Sequence, residues 1–174
     1  QCMFSPTASI NPRFETKVIK EFEDGTKHIL NGHGVVLVQK PEAGSIPAEI
    51  SHMLTDRASW DEHYKPRYGW SEDRVTKAGV LANDRVIPFD EGGLEFLQAD
   101  KRDYMYGLHC GSLFGHIRDI VGVEGSSYIY CDDMELYEEM INTNAEVCYQ
   151  NVKYALESGA KFDFGHFWED ICFK

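Results

Sequence analysis

The chain is short of positive charge. Of 174 residues, 17 are Lys or Arg against 29 Asp or Glu, a formal net charge of −12, and no run of basic residues occurs. Nucleic-acid phosphates and anionic lipid surfaces both call for a concentrated positive patch, so neither partner is expected. A cationic ligand or a small molecule stays open. Long apolar runs are also missing: stretches such as 34–38 fall far short of the roughly 20 residues of a membrane-spanning helix. No basic segment followed by an apolar one marks a secretory signal. Cysteine is sparse and unpatterned. Cys2, Cys110, Cys131, Cys148 and Cys172 are odd in number and lack CxxC spacing, which excludes a disulfide scaffold and fits a reducing, cytoplasmic setting. The glycines of Gly32-His33-Gly34 and of 111–115 do not have the spacing of a P-loop or a dinucleotide fingerprint.

What is present is enough apolar side chain, 43% of residues with 13% aromatic, to form the core of one domain spanning 1–174. Residues 14–40 alternate and are rich in Val, Ile, Thr and Phe. Asp24-Gly25 and Asn31-Gly32 interrupt them as two-residue hairpin turns, so the expectation is an antiparallel β-meander of 14–22, 26–30 and 35–40. Two prolines and a glycine make 41–47 an irregular connection. Ser59 with Glu62 reads as a capping box opening a short helix that Pro66 limits, with Trp60 and Tyr64 sharing its buried side. Residues 68–103 carry a weak signal and one short helix near 94–98.

The C-terminal third is clearest. A strand over 104–110, a tight turn at Gly111-Ser112 and a helix over 113–121 precede a long helix capped by Asp132 or Asp133. On that helix Met134, Tyr137, Ile141, Ala145, Cys148, Val152 and Ala155 recur at helical steps, and Gly159 stops it. A strand over 161–167 follows at once. Strand, helices, strand with a short return loop is a right-handed βαβ crossover, so both strands should be parallel.

In parallel α/β folds the ligand sits beyond the C-terminal ends of the strands. Two clusters fall there. The first, His109, Cys110, Gly111 and Ser112, precedes a helix whose free N–H groups suit a carboxylate or phosphate, although Cys110 can equally be a small core residue. The second is His166, Trp168, Glu169 and Asp170, where an imidazole and carboxylates can move a proton; the bland alternative is a solvated loop with one ion pair. His109, Cys110, His166 and Cys172 are zinc-ligand types, but adjacent His109 and Cys110 point to opposite sides of a strand, so no metal ligand is assigned. His28, His33, His52 and His63 are expected at surface or capping positions.

The segment Phe162-Asp163-Phe164-Gly165-His166-Phe167-Trp168-Glu169-Asp170-Ile171-Cys172-Phe173-Lys174 resembles a strand-loop segment of the uroporphyrinogen decarboxylase superfamily, which also contains corrinoid-dependent methyltransferases. The run His109-Cys110-Gly111-Ser112-Leu113-Phe114-Gly115 with Ile117-Arg118-Asp119, the helix opened by Asp132-Asp133, and Ser45-Ile46-Pro47 with Ser59-Trp60 are similar to other stretches of that family. The resemblance implies a TIM (β/α)8 barrel, which runs to about 250 residues. This chain is therefore expected to be a central portion, a partial barrel plus the N-terminal meander, with further strands before Gln1 and after Lys174.

The resemblance also implies a lyase or methyltransferase acting on a small-molecule or tetrapyrrole-type substrate, inactive as this fragment. Strand-end location together with the resemblance assigns catalysis to His166, Glu169 and Asp170, and substrate binding to His109, Cys110, Gly111, Ser112 and Trp168. No cofactor is expected in this chain, while the full-length enzyme would take up a corrinoid or zinc. The decarboxylases have a tyrosine where His116-Ile117-Arg118-Asp119 stands, and an aromatic, proline-containing loop where His109-Cys110-Gly111-Ser112 stands, which shifts the expectation toward methyl transfer or another small-molecule reaction. The rival reading is a non-catalytic half-barrel that binds a ligand or partner and homodimerises through unpaired strand edges.

Overall fold

Three parallel strands frame the candidate site. The computed structural model describes residues 2–42, 44 and 46–169; Ser45, Asp170 and Cys172, named above, lie outside them. The described residues form nine strands, β1 (Cys2–Phe4), β2 (Lys17–Glu21), β3 (Lys27–Leu30), β4 (Val35–Gln39), β5 (Ala48–His52), β6 (Gly79–Ala82), β7 (Arg85–Pro88), β8 (Tyr106–Gly111) and β9 (Phe164–Phe167), and six α-helical segments, α1 (Arg57–Ser59), α2 (Asp73–Thr76), α3 (Gly93–Ala99), α4 (Phe114–Val121), α5 (Val123–Asp132) and α6 (Met134–Glu157). The fold is mixed α/β, with one parallel and two antiparallel sheets. No helix among the described residues is long and apolar enough to cross a membrane. The chain divides into two compact units.

The first unit takes its residues from 1–9, 68–115 and 142–174. Its sheet has the order β1-β8-β9, all parallel. The expected parallel pairing is present, but over shorter strands: β8 starts at Tyr106 rather than 104 and runs to Gly111, and β9 starts at Phe164 rather than 161; the N-terminal residues, which show no strand period, add β1. Alternation along β8 sends Tyr106, Leu108 and Cys110 into a core with Phe4, Phe89, Leu97 and Ala155, with Phe4 stacked on Phe89 at 5.1 Å. Each such large side chain contributes about 1.5–3 kcal/mol when fully buried. Asp163 sets the start of β9 by exchanging bonds with Tyr106: the Tyr106 N–H donates to its carboxylate at 2.7 Å and its own N–H donates to the Tyr106 carbonyl at 2.9 Å. β6 and β7 form a hairpin whose Asn83 and Asp84 both have positive φ, 47° and 65°, the two-residue turn that needs such a pair.

The second unit takes its residues from 10–67 and 116–141. The meander is there and gains a fourth strand, giving the order β2-β3-β4-β5. The first two of its three connections differ from the expected turns. In each, an N–H···O bond between flanking residues (Phe22 to Thr26, Asn31 to Val35) closes a three-residue loop that ends on a left-handed glycine, Gly25 at φ 79° and Gly34 at φ 82°. Asn31 sits outside the turn: its side chain accepts from the N–H groups of His33 and Val35 at 2.9 and 3.0 Å, an Asx arrangement that takes the asparagine out of the left-handed position.

The capping box lies one turn earlier than expected. Asp56 is the N-cap, accepting from the Ser59 N–H at 2.8 Å, while the Ser59 hydroxyl accepts from the Asp56 N–H at 3.0 Å. The box needs an acceptor at its third position as well as at its first, and Ser59 serves as the third. Beyond it run a π-helical turn, Trp60–Tyr64, and a 3₁₀ turn, Lys65–Tyr68. Trp60 and Tyr64 are both fully buried.

Candidate functional site

The site begins where β8 leaves its ladder. Pairing with β9 runs Gly107 to Phe164, Leu108 to Gly165 and His109 to His166, then skips Cys110 to resume at Gly111 with Phe167. That bulge places Gly111 at φ 106°, a conformation open to glycine at little cost. A Cβ there would also lie 2.3 Å from the Cys148 sulfur, so glycine is required twice over. Beyond the bulge the Trp168 N–H donates to the Gly111 carbonyl at 3.1 Å.

His109 and His166 sit side by side on the face opposite the core, half-buried, with Nδ1 atoms 3.4 Å apart. At that distance one ring donates and the other accepts. Burial, and then the neighbouring imidazole, hold His109 below the usual histidine pKa, because a second positive charge there is penalised twice.

The N-terminus of α4 is already occupied. Glu169 accepts from the N–H groups of Leu113, Phe114 and Gly115, the last two at 3.1 Å. The anion cradle expected after Ser112 thus holds the chain's own carboxylate, charge against helix dipole. The Trp168 ring lies over Gly115, where a Cβ would be 3.6 Å from Cζ3. Ser112 is buried, and its carbonyl accepts from Asn144 Nδ2 at 2.7 Å. Cys110 faces the core, and burial pushes its thiol pKa up. Cys148 is pushed up to about 11, chiefly by burial, so neither thiol suits a nucleophile at neutral pH.

Asn144 and Asn151 were not singled out in the sequence. The buried stripe of α6 is Leu136, Met140, Asn144, Val147, Cys148, Asn151 and Ala155, rotated from the stripe expected from apolar residues alone. Asn151 donates to the Thr7 carbonyl at 3.0 Å and accepts from Trp70 Nε1 at 3.1 Å. Arg74, 1% exposed, donates to the Thr7 and Ser9 carbonyls at 2.9 and 2.7 Å. Loops past β1 and β8 are thereby tied to buried polar side chains. The visible signal is two asparagines seven residues apart, which share one helix face.

In the second unit, His33 is half-buried and its ring lies 6.2 Å from that of His116. Burial first, then His33 and Arg13, pull His116 down to about 4; burial and Arg13 lower His33, against Asp119. Among the described residues no group of three or more His, Cys, Asp or Glu is placed to hold a metal ion. No protein-family model, curated protein or solved structure gives a significant match to the chain.

Proposed function

We propose that the chain is part of a uroporphyrinogen decarboxylase-like (β/α)8 barrel, and that the C-terminal mouth of β8 and β9 is its small-molecule site, with His109 and His166 handling a proton. The observation that carries this is the cross-strand imidazole pair. With Nδ1 of one ring donating to Nδ1 of the other, the outer Nε2 atoms are left as one acceptor and one N–H donor. A proton taken up at the accepting Nε2 lets the Nδ1 proton cross to the second ring, whose Nε2–H then releases its own. The pair carries one positive charge, shared between the two rings, from uptake to release and is neutral again afterwards.

One such transfer serves either expected reaction: protonation of the carbanion left by decarboxylation, or deprotonation of a methyl acceptor. In this reading Gly111, Ser112 and Trp168 shape the mouth with Cys110 behind them, Glu169 holds the loop after β9 against α4, and Asp170 completes the catalytic set. Among the described residues no group of three or more His, Cys, Asp or Glu is placed to hold zinc; a zinc ion would take its ligands from other residues.

Turnover tests the reading. In protein isolated at its native length, His166→Asn and His109→Asn should each lower kcat for porphyrinogen decarboxylation or methyl transfer from a methyl-corrinoid by about 10²–10⁴, with unchanged circular dichroism. Full turnover in His166→Asn refutes it. The rival binding module draws on one observation: outer strand β2 is exposed at every residue, with Val18 and Ile19 52% and 55% exposed. A homodimer with protected β2 amides and no turnover would favour it.

A further inference from the structure

Independently of that site, a cleft of about 540 Å³ lies in the second unit, between β5 with the residues after it and the junction of α4 with α5. That volume is in the range of small-molecule sites. Its floor is apolar: Leu54 and Val121 are 1% and 2% exposed. Ile50, Val123 and Tyr128, all exposed large apolar groups, also line it. Among the described residues the lining carries two carboxylates, Glu49 and Glu124, beside one histidine, His52, and neither Lys nor Arg.

Among the described residues Glu49 accepts from His52 Nε2 at 3.1 Å and Glu124 accepts from the Tyr128 hydroxyl at 2.9 Å. A carboxylate accepts about four hydrogen bonds, so both keep capacity. The His52 ring lies on Gly122, where a Cβ would come within 2.7 Å of it. This closes that wall.

We infer that the cleft binds an aliphatic diamine or polyamine, with ammonium groups on Glu49 and Glu124 and methylenes on Leu54, Val121 and the Tyr128 ring. Methylene stems of lysine cover apolar surface in the same way, and an aromatic face attracts a cation. A divalent metal ion fits less well, since no cluster of three acidic or imidazole ligands exists among the described residues. A zwitterion would bring a carboxylate among carboxylates with no basic side chain to receive it. The net charge of −12 draws cations toward the surface, which makes diffuse attraction the outcome to exclude.

The test is titration of the whole chain with 1,5-diaminopentane, followed by calorimetry and by amide chemical shifts. One saturable site is expected, with shifts concentrated at 49–55 and 121–128. Glu49→Gln with Glu124→Gln should weaken it about ten- to thirty-fold. Glu95→Gln with Glu157→Gln, which removes the same charge from exposed positions elsewhere, should leave it unchanged. Equal weakening by both pairs, shifts spread over the surface, or equal affinity for 1-aminopentane would each overturn the inference.

Discussion

His116 makes the stability of this protein depend on pH in a predictable direction. It is 8% exposed, and its pKa falls from 6.5 to about 4, chiefly through burial and then through His33 and Arg13. In the unfolded chain the ring takes a proton near pH 6.5; in the folded chain it resists until about pH 4. Below pH 6.5 the unfolded state therefore binds more protons, and stability falls with pH until the folded pKa is passed. The full loss is about 3 kcal/mol, of which about 2 is gone by pH 5.

With an m-value of about 2 kcal/mol/M in urea, the midpoint should drop by about 1 M between pH 7.5 and pH 5 through this residue alone. The paired measurement is urea unfolding of wild type and His116→Gln at both values. The variant should start less stable but lose about 1 M less. Carboxylates held below their usual range, such as Asp163 and Asp133, give up their contribution at lower pH and do not blur this window. An equal midpoint shift in both proteins refutes the argument.

Further outcomes follow from single contacts. Glu139 gathers Lys65 at 2.6 Å, Arg57 at 3.0 Å and Trp60 Nε1 at 3.1 Å, so Glu139→Gln should cost about 1–2 kcal/mol in thermal or urea unfolding, a cost that shrinks in 1 M NaCl. Asn144→Leu removes the Nδ2 donor to the buried Ser112 carbonyl and should cost about 1–3 kcal/mol, with amide exchange accelerated more at 111–115 than elsewhere. Gly111→Ala meets both its positive φ and the Cys148 sulfur. It should destabilise by about 2–4 kcal/mol, and Cys148→Ala should restore only part of that, because the strain remains. Asp163→Asn weakens the bonds to Tyr106 N–H and Arg102 and should lower stability at pH 7 but not below the depressed carboxyl pKa.

Local pattern was enough to show the elements whose code is short-range. Alternation in 14–40 announced a meander, Trp60 and Tyr64 four apart announced a buried helical side, and Gly159, at φ 83°, marked the end of α6. The parallel pairing of β8 with β9 follows from a crossover that leaves the chain little alternative. The same pattern was silent on β1, three residues without a period, whose strand state comes from its parallel register with Tyr106, Gly107 and Leu108. It also misplaced the buried stripe of α6: apolar periodicity does not register Asn144 and Asn151, which are buried because loop carbonyls need donors.

Residue types at the strand ends were legible as candidate chemistry. What they touch was decided by the fold. Only pairing in register sets His109 against His166, only the bulge at Cys110 and Gly111 turns the next residues toward α4, and only the return of the chain after β9 brings Glu169 onto N–H groups more than fifty residues earlier. Sequence determines such contacts through long-range packing, and that is physics which no local period carries.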